Sequence, residues 1–228
     1  MPRDDRDPPA GPPYPYARSA DQDAPGPVRH PVVIVGAGPV GLVTALDLGL
    51  RGVPVLLLDA QDGPGEGSRA ICFAKRTLEI CGRLGCAAPM VDAGVVWRLG
   101  KVFFEDRQIY AFDLLPEPGH RYPAFVNLQQ PAFERAVVAR IRAVQAAGAP
   151  IEIRGRNRVT ATHPRRDGVD LEIDTPDGSY RLQADWLIAC DGARSPVRRG
   201  MGLDFEGRVF EDTFLIADIR MQADSRPS

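Results

Sequence analysis

The sequence has few residues that bind metals or form disulfides. Its 228 residues include four cysteines and three histidines, and no two cysteines are spaced as C-x-x-C. The cysteines are Cys72, Cys81, Cys86 and Cys190. This content argues against zinc and iron–sulfur sites. It favours reduced thiols in a cytoplasmic protein, although the even number of cysteines also permits two disulfides.

Long apolar runs and an excess of one charge are also missing. The longest uncharged stretch, residues 31–46, is interrupted by glycines and a proline, and the first 30 residues contain no apolar segment of the signal-peptide type. The formal net charge is −2, with 25% charged residues. These features predict a globular protein that has neither a membrane nor a nucleic acid as its partner.

The first 29 residues are rich in proline and poor in apolar side chains. Seven prolines lie between residues 8 and 27. Such a composition buries too little apolar surface to offset the entropy that is lost on ordering, so residues 1–29 are predicted to form a disordered tail. A polyproline ligand at residues 12–16 is the alternative to a simple tail.

The most informative part of the sequence is a βαβ pattern with a glycine-rich turn. Apolar runs at 32–35 and 54–58 predict two strands, and the pattern over 39–51 predicts the helix between them. The turn that joins the first strand to the helix reads Gly-Ala-Gly-Pro-Val-Gly, and Asp59 follows the second strand. This arrangement is typical of a unit that binds the pyrophosphate and the ribose of a dinucleotide.

Each glycine of the turn has its own expected role. Gly36 allows the tight turn, Gly38 lets the backbone approach the phosphates, and Gly41 lets the helix pack close to the strand. The free N–H groups at the helix N-terminus attract the anion. Asp59 lies 18 residues beyond Gly41, where its carboxylate accepts hydrogen bonds from ribose hydroxyls. The motif is compatible with NAD or FAD, whereas the charge of Asp59 argues against the 2′-phosphate of NADP at this site.

The rest of the sequence predicts helices and antiparallel strands. The predicted helices span 74–84 and 131–146, and a short one begins near residue 195. The predicted strands are 95–97, 101–104, 108–112, 151–153, 157–163, 169–174, 179–183, 185–190 and 213–221. Asp-Gly dipeptides at 167–168 and 177–178 indicate an antiparallel meander, which leads into the strand at 185–190, predicted to be buried.

Three separated motifs give the sequence a resemblance to a known family. The first is the glycine motif with Asp59, the second is Ser68-Arg69-Ala70, and the third is Cys-Asp-Gly-Ala-Arg-Ser-Pro at residues 190–196. From about residue 31 to its end, the chain resembles the N-terminal part of the FAD-dependent aromatic hydroxylases. These are single-component flavoprotein monooxygenases of the para-hydroxybenzoate hydroxylase and 3-(3-hydroxyphenyl)propionate hydroxylase type. The third motif separates them from plain NAD-binding Rossmann domains.

The resemblance implies an α/β fold with two parts. A Rossmann-like FAD-binding domain, with a parallel sheet, a βαβ unit and a β-meander, is expected to comprise residues 30–94 and 125–204. The start of a mixed or antiparallel substrate-binding sheet is expected at 95–124 and 205–228. The family's downstream Gly-Asp motif, whose Asp contacts the ribityl chain of FAD, is absent from residues 192–228, so a truncated N-terminal portion is expected.

The resemblance also assigns roles to individual residues. Arg69 is expected near the phosphates or the flavin, Gln130 is expected to point towards FAD, and Asp191 with Gly192 is linked to both FAD and NAD(P)H binding. A surface arginine, a helix-terminal glutamine and a turn aspartate are the structural alternatives for these positions. The candidate cofactor-binding residues are Gly36, Gly38, Pro39, Gly41, Asp59, Arg69, Gln130, Asp191 and Gly192.

The activity that the resemblance implies is hydroxylation of a phenolic or other aromatic substrate. NADH or NADPH reduces FAD, and O₂ then forms a C4a-hydroperoxide that transfers one oxygen atom to the ring. The expected partner is a second copy of the chain or a complementing C-terminal segment. The sequence motifs identify no catalytic residue and no metal ligand. The alternatives are a non-catalytic FAD- or nucleotide-binding fragment and an NAD-dependent dehydrogenase, which only the glycine motif supports.

Overall fold

A computed structural model describes residues 13–65, 71–115, 117–208 and 210–213 of the chain. The strands are β1 (Val28–Val35), β2 (Val55–Leu58), β3 (Cys72–Ala74), β4 (Val95–Val96), β5 (Leu99–Phe104), β6 (Arg107–Asp113), β7 (Phe125–Asn127), β8 (Ile151–Arg154), β9 (Arg158–Arg165), β10 (Gly168–Thr175) and β11 (Gly178–Ala189). The α-helices are α1 (Pro39–Leu50), α2 (Lys75–Leu84), α3 (Ala87–Ala93), α4 (Gln130–Ala146) and α5 (Pro196–Gly200). A 3₁₀ helix spans Ala20–Gln22.

A six-stranded sheet with the order β8-β2-β1-β11-β10-β9 organises the fold. The first four strands are parallel, and β10 and β9 continue the sheet in antiparallel pairing. The α/β prediction, with its βαβ unit and its meander, is therefore confirmed. The long helices predicted over 74–84 and 131–146 are also found, while α3 is an element that the sequence analysis did not predict.

The apolar strands at the centre of the sheet are buried on both faces. Ile34 and Leu57 enter a core that α1, α2 and α4 cover, whereas Val33 and Leu56 enter a second core shared with the meander and α5. Because successive side chains of a strand point to opposite faces, a continuous apolar run suits a strand that is covered on both sides. This double burial fixes the carboxyl ends of β1 and β2, where the glycine-rich turn and Asp59 lie.

The strands predicted at 179–183 and 185–190 are one continuous strand, β11. It pairs with β10 as far as Ala184 and with β1 as far as Ala189. β10 does not extend along the last part of β11, so that edge of the strand is open. The side chain of Trp186, in this part of β11, is 73% exposed. The prediction that this stretch is buried is therefore wrong at Trp186.

Residues 13–27 pack against the domain and form an element that we call the N-terminal strap. The prediction of disorder over 1–29 is thus wrong from residue 13 onward, while residues 1–12 lie outside the described part. Tyr14 is only 5% exposed, and the Asp21 carboxylate pairs with Arg154 and His30 at 2.7 and 2.8 Å. Composition alone misses these contacts because their partners are distant in the sequence.

The remaining strands form two small sheets. β3, β7 and β4 make a three-stranded sheet, and β5 and β6 make the hairpin that was predicted between 95 and 112. The proposed strand at 213–221 lies, from residue 214, outside the described residues, so its pairing is untested. Within the described residues, no helix combines the length and the apolar character that crossing a bilayer requires.

Candidate functional site

The glycine-rich turn is held tightly between β1, β2 and β11. The Gly36 N–H donates to the Leu58 carbonyl oxygen, and the Cys190 N–H donates to the Val35 carbonyl oxygen, each at 2.8 Å. Gly36 has a φ of +101°, and a Cβ there would lie 2.5 Å from the Cys190 carbonyl oxygen. A Cβ on Gly41 would overlap the Gly36 carbonyl oxygen. Both positions therefore require glycine for packing inside the protein.

Gly38 differs from these two glycines because it faces open space. It is the N-cap residue of α1, with Pro39 at the start of the helix, and a Cβ there would meet no atom within 4 Å. No side chain caps this helix end by a hydrogen bond. The free N–H groups of the first turn thus remain available to an anionic ligand, towards which the helix dipole is favourable.

Asp59 links the end of β2 to the glycine-rich turn. Its Oδ2 accepts a hydrogen bond from the Ala37 N–H at 2.5 Å, and its Oδ1 accepts one from the Gln61 N–H at 2.7 Å. Burial raises the pKa of the Asp59 carboxyl above its ordinary value, against the opposing effects of these two bonds and of the nearby Arg158. The carboxylate is therefore fixed in place by the backbone, with lone pairs left over for a further donor.

Two clefts meet at Asp59. The smaller cleft has a volume of about 130 Å³, and its walls include Tyr14, Ala37, Gly38, Asp59, Gln61, Gln130 and Glu134. The larger cleft has a volume of about 470 Å³, and its walls include Gly36, Asp59, Ala60, Asn157, Arg158, Asp191 and Arg194. The structure thus brings Gly38, Asp59 and Gln130 to one cleft and places Asp191 on the other, with Asp59 common to both.

Gln130 is the first residue of α4, as the sequence analysis expected. Its Nε2 donates a hydrogen bond to Glu134 Oε1 at 2.7 Å, one helical turn further on. Glu134 is 3% exposed, and the sequence analysis did not single it out. The spacing of four residues on a helix was the available signal, because such pairs lie on the same face.

Asp191 has a defined structural role next to the larger cleft. Its Oδ2 accepts hydrogen bonds from the Ser195 hydroxyl at 2.8 Å and from the Val197 N–H at 3.1 Å. Ser195 caps α5 by accepting a bond from the Arg198 N–H at 2.9 Å. Gly192, with a φ of +80°, makes the turn between β11 and this helix. The turn alternative for Asp191 is therefore observed, and a cofactor contact by the Asp-Gly pair stays a prediction.

Three further residues bear on the site. Arg69 lies outside the described residues, together with the whole Ser-Arg-Ala motif. Tyr14 and Arg158, in contrast, line the clefts, although the sequence did not point to them as cofactor-binding residues. Tyr14 carried no local signal, because it lies in a proline-rich segment that resembles a tail. Among the described residues, no three His, Cys, Asp or Glu side chains are grouped to hold a metal ion.

The arrangement fits a dinucleotide such as FAD. An anion suits the uncapped start of α1, where glycine leaves room for a close approach at Gly38. A ribose suits the immobilised carboxylate of Asp59, which lies beside that helix end. The two sub-sites are adjacent, as the linked pyrophosphate and ribose of a dinucleotide require.

Comparisons with known proteins agree with this geometry. One relative is the 6-methylpretetramide 4-monooxygenase of Streptomyces rimosus, which is 34% identical over 85% of this chain and 34% of its own length. A solved p-nitrophenol 4-monooxygenase of Pseudomonas putida DLL-E4 is 31% identical, with a TM-score of 0.74 over 81% of this chain and 46% of its own. A flavin-dependent monooxygenase solved with FAD and substrate is 28% identical, with a TM-score of 0.69 over 80% and 34%.

The chain spans between about a third and a half of the length of these relatives. Over most of its own length, however, a single family accounts for it. The family model described as FAD binding domain matches residues 29–227, a range that contains the glycine-rich turn, Asp59, Gln130 and the Asp-Gly pair. The chain therefore belongs to the FAD-binding domain family of the flavin-dependent aromatic monooxygenases.

Proposed function

We propose that this chain binds FAD at the two clefts and forms the FAD-binding portion of an NAD(P)H-dependent monooxygenase that hydroxylates a phenolic or other aromatic substrate. One observation carries the proposal. The Asp59 carboxylate is hydrogen-bonded to the Ala37 N–H, so that it lies next to the uncapped N-terminus of α1. An acid that receives ribose hydroxyls and a helix end that receives phosphates are thereby joined in one rigid unit.

Each part of the cofactor has a candidate partner in the chain. The N–H groups at the start of α1, beside Gly38 and Pro39, would bind the pyrophosphate, and Asp59 would accept hydrogen bonds from the adenosine ribose. Gln130 lines the same cleft and would offer its amide to the cofactor. Asp191, on the larger cleft, would act mainly through the position of α5.

Bound FAD would supply the redox chemistry, which is electron transfer from NADH or NADPH and activation of O₂ for insertion of one oxygen atom. The protein's part is to bind and orient the cofactor and to keep water from the reacting atoms. The described residues would bind the adenosine half of FAD. The names of the relatives, a nitrophenol monooxygenase and a pretetramide monooxygenase, support an aromatic substrate.

The substrate side of the proposed enzyme requires further protein. The β5–β6 hairpin exposes large apolar residues, among them Phe104 at 66% and Tyr110 at 60%. Such a face is suited to contact with another protein surface. Because this chain matches only part of the length of its relatives, we favour a complementing C-terminal segment over a second copy of the chain as the partner. The proposal includes the cytoplasm as the location, because NADH and NADPH are available there and the four thiols are free.

A second candidate function is FAD binding without turnover by this chain alone. Two observations favour FAD binding without turnover for the isolated 228-residue chain. Its β5–β6 hairpin is exposed, and it matches only part of the length of its relatives. NADH or NADPH oxidation in the presence of phenols distinguishes the two, since only the complete catalytic unit would couple oxidation to hydroxylation. An NAD-dependent dehydrogenase has no support beyond the glycine motif, because the matching family binds FAD.

The test is retention of cofactor by the purified chain. The protein is mixed with FAD or with NAD, passed through gel filtration, and examined by absorption spectroscopy. We expect a flavin spectrum to co-elute with folded protein and NAD to be lost. Folded protein that elutes without flavin, or that retains NAD in its place, would overturn the proposal.

A further inference from the structure

The N-terminal strap lies outside the family match, which begins at residue 29. The strap nevertheless touches the loop that carries Asp59. The Tyr14 N–H donates to the Asp62 carbonyl oxygen at 3.1 Å. Pro13 packs so closely on Gly63 that a Cβ at Gly63 would lie 2.7 Å from the proline Cδ. This segment therefore contacts the backbone of the Asp59 loop directly.

The strap also contacts the elements on either side of that loop. The Arg142 guanidinium of α4 donates a hydrogen bond to the Pro13 carbonyl oxygen. The Tyr14 carbonyl oxygen lies against Gly155, in the turn between β8 and β9, where a Cβ would overlap it. Gln61, whose N–H donates to the Asp59 carboxylate, also accepts a hydrogen bond from the Arg156 N–H through its carbonyl oxygen at 2.9 Å. The strap is thus attached to α4 and to the β8–β9 turn, and that turn also contacts the loop.

The Tyr14 ring brings the strap to the candidate site itself. It is 5% exposed, belongs to the core beneath α1 and α4, and lines the smaller cleft together with Gly38, Asp59 and Gln130. Burial and then the negative charges of Asp59 and Glu134 raise the pKa of the Tyr14 phenol. At neutral pH the side chain is therefore an uncharged aromatic wall of the cleft.

A second anchor fixes the other end of the strap. Asp21 Oδ2 accepts from Arg154 Nη1 at 2.7 Å and lies 2.8 Å from His30 Nε2. The Arg154 side chain is 6% exposed and also contacts Glu152 and Tyr180. Because both ends of the strap are attached to the domain, its position over the Asp59 loop is defined by more than the contacts of Tyr14.

We propose that the strap is a built-in clamp for the adenosine half of FAD, and that Tyr14 is a positioning residue within it. In this role Tyr14 holds the loop of residues 59–65 through its N–H bond to the Asp62 carbonyl oxygen and through its ring in the smaller cleft, so that the Asp59 carboxylate stays beside the glycine-rich turn. The proposal rests on the proposed function, and it extends that function to a segment that the family match leaves out.

The experiment compares dissociation constants for FAD in variants of the full chain, measured by titration of flavin fluorescence. Tyr14→Ala is expected to weaken FAD binding about tenfold, a factor that corresponds to about 1.4 kcal/mol. Tyr14→Phe, which keeps the ring, is expected to restore affinity to within about twofold. The matched control is Tyr16→Ala, because Tyr16 lies in the same strap but bonds to Asp177 and Gln22, away from the clefts.

Arg142→Ala covers the case in which Tyr14→Ala does not fold. It removes the hydrogen bond to the Pro13 carbonyl oxygen from a residue that lines neither cleft, so a loss of affinity in the same direction is expected. Circular dichroism checks that every variant is folded at the titration temperature, and ADP replaces FAD in a parallel titration by competition. Loss of ADP affinity in parallel with FAD affinity is expected, since the clamp acts on the adenosine half.

Unchanged FAD affinity in folded Tyr14→Ala and Arg142→Ala would overturn the clamp and leave the proposed FAD site standing. An equal loss in Tyr14→Phe or in Tyr16→Ala would also overturn it, because the effect would then not depend on the ring at the cleft. Failure of the unaltered chain to bind FAD would instead refute the proposed function, and the clamp would fall with it.

Discussion

At the residue scale, Gly38 and Gly41 occupy opposite environments within the same turn. A Cβ on Gly41 would overlap the Gly36 carbonyl oxygen, so Gly41→Ala is expected to destabilise the cofactor-free chain by about 1–3 kcal/mol. Gly38→Ala meets no atom, and it is expected to cost less than about 1 kcal/mol through the weaker helix cap. Chemical denaturation without cofactor measures both effects.

Substitutions at Gly38 and Gly41 also distinguish a loss of FAD affinity from a loss of stability. Gly38→Ala is expected to weaken FAD binding about tenfold, because the added methyl group fills the space that the phosphates would approach. Flavin fluorescence titration of the folded variant measures the change. A Gly38→Ala chain that binds FAD as tightly as the unaltered chain would show that the pyrophosphate does not approach the N-terminus of α1.

The packing roles of Gly36 and Gly41 could be predicted from the sequence, because a tight turn between a strand and a helix limits what can fit there. The two backbone bonds of Asp59 could not, since they depend on the path of the loop beyond β2. The contacts of Tyr14 could not be predicted for a related reason. Its partners, Asp62 and Gly155, are 48 and 141 residues away, and proline-rich composition gives no sign of such contacts.

At the element scale, the strap depends on the ion pair between Asp21 and Arg154. The Asp21 carboxyl has a lowered pKa, because hydrogen bonds from Arg154 and His30 outweigh the effect of burial. The ionised form therefore stabilises the fold above the ordinary aspartate pKa of about 3.9, and this contribution is lost as the pH falls through the lower folded value. Asp21→Asn should thus destabilise the chain at pH 7 and matter progressively less below about pH 4.

The expected loss for Asp21→Asn at neutral pH is about 1–2 kcal/mol, since Arg154 keeps its contact with Glu152. Urea denaturation at a series of pH values measures it. Asp23→Asn is the control, because that carboxylate is 63% exposed and pairs with an exposed arginine, Arg18. An equal and pH-independent effect of the two substitutions would contradict an anchoring role for Asp21.

Helices and strands with strong apolar periodicity were predicted well, since local pattern and tertiary burial agree there. The helix with Phe133, Val137 and Ile141 on one face is α4, and all three are buried. Strand environment was harder to predict. Whether a residue of β11 is covered depends on what packs over its face of the sheet, so the exposure of Trp186 is not encoded in the residues next to it.

At the scale of the whole molecule, the β5–β6 hairpin exposes a large apolar surface. Its exposed apolar residues are Leu99, Val102, Phe103, Phe104, Ile109 and Tyr110. A two-stranded hairpin with this surface is marginally stable without a partner. We therefore expect the isolated chain to self-associate with rising concentration, and Phe104→Ser to reduce this association without changing FAD affinity. Sedimentation velocity measures the association.

Leu50→Ser is the control for this effect. Leu50 is 42% exposed at the end of α1 and belongs to a different surface from the hairpin. If Leu50→Ser reduced the association as much as Phe104→Ser, general surface hydrophobicity would explain the behaviour, and the hairpin would have no special part in partner contact.

The most direct test of the central claim is a crystal structure of the chain grown with FAD. The account predicts electron density for the pyrophosphate at the N-terminus of α1, beside Gly38, and for the adenosine ribose within hydrogen-bond distance of Asp59. FAD bound elsewhere on the chain, with the start of α1 and the Asp59 carboxylate untouched by the cofactor, would contradict it.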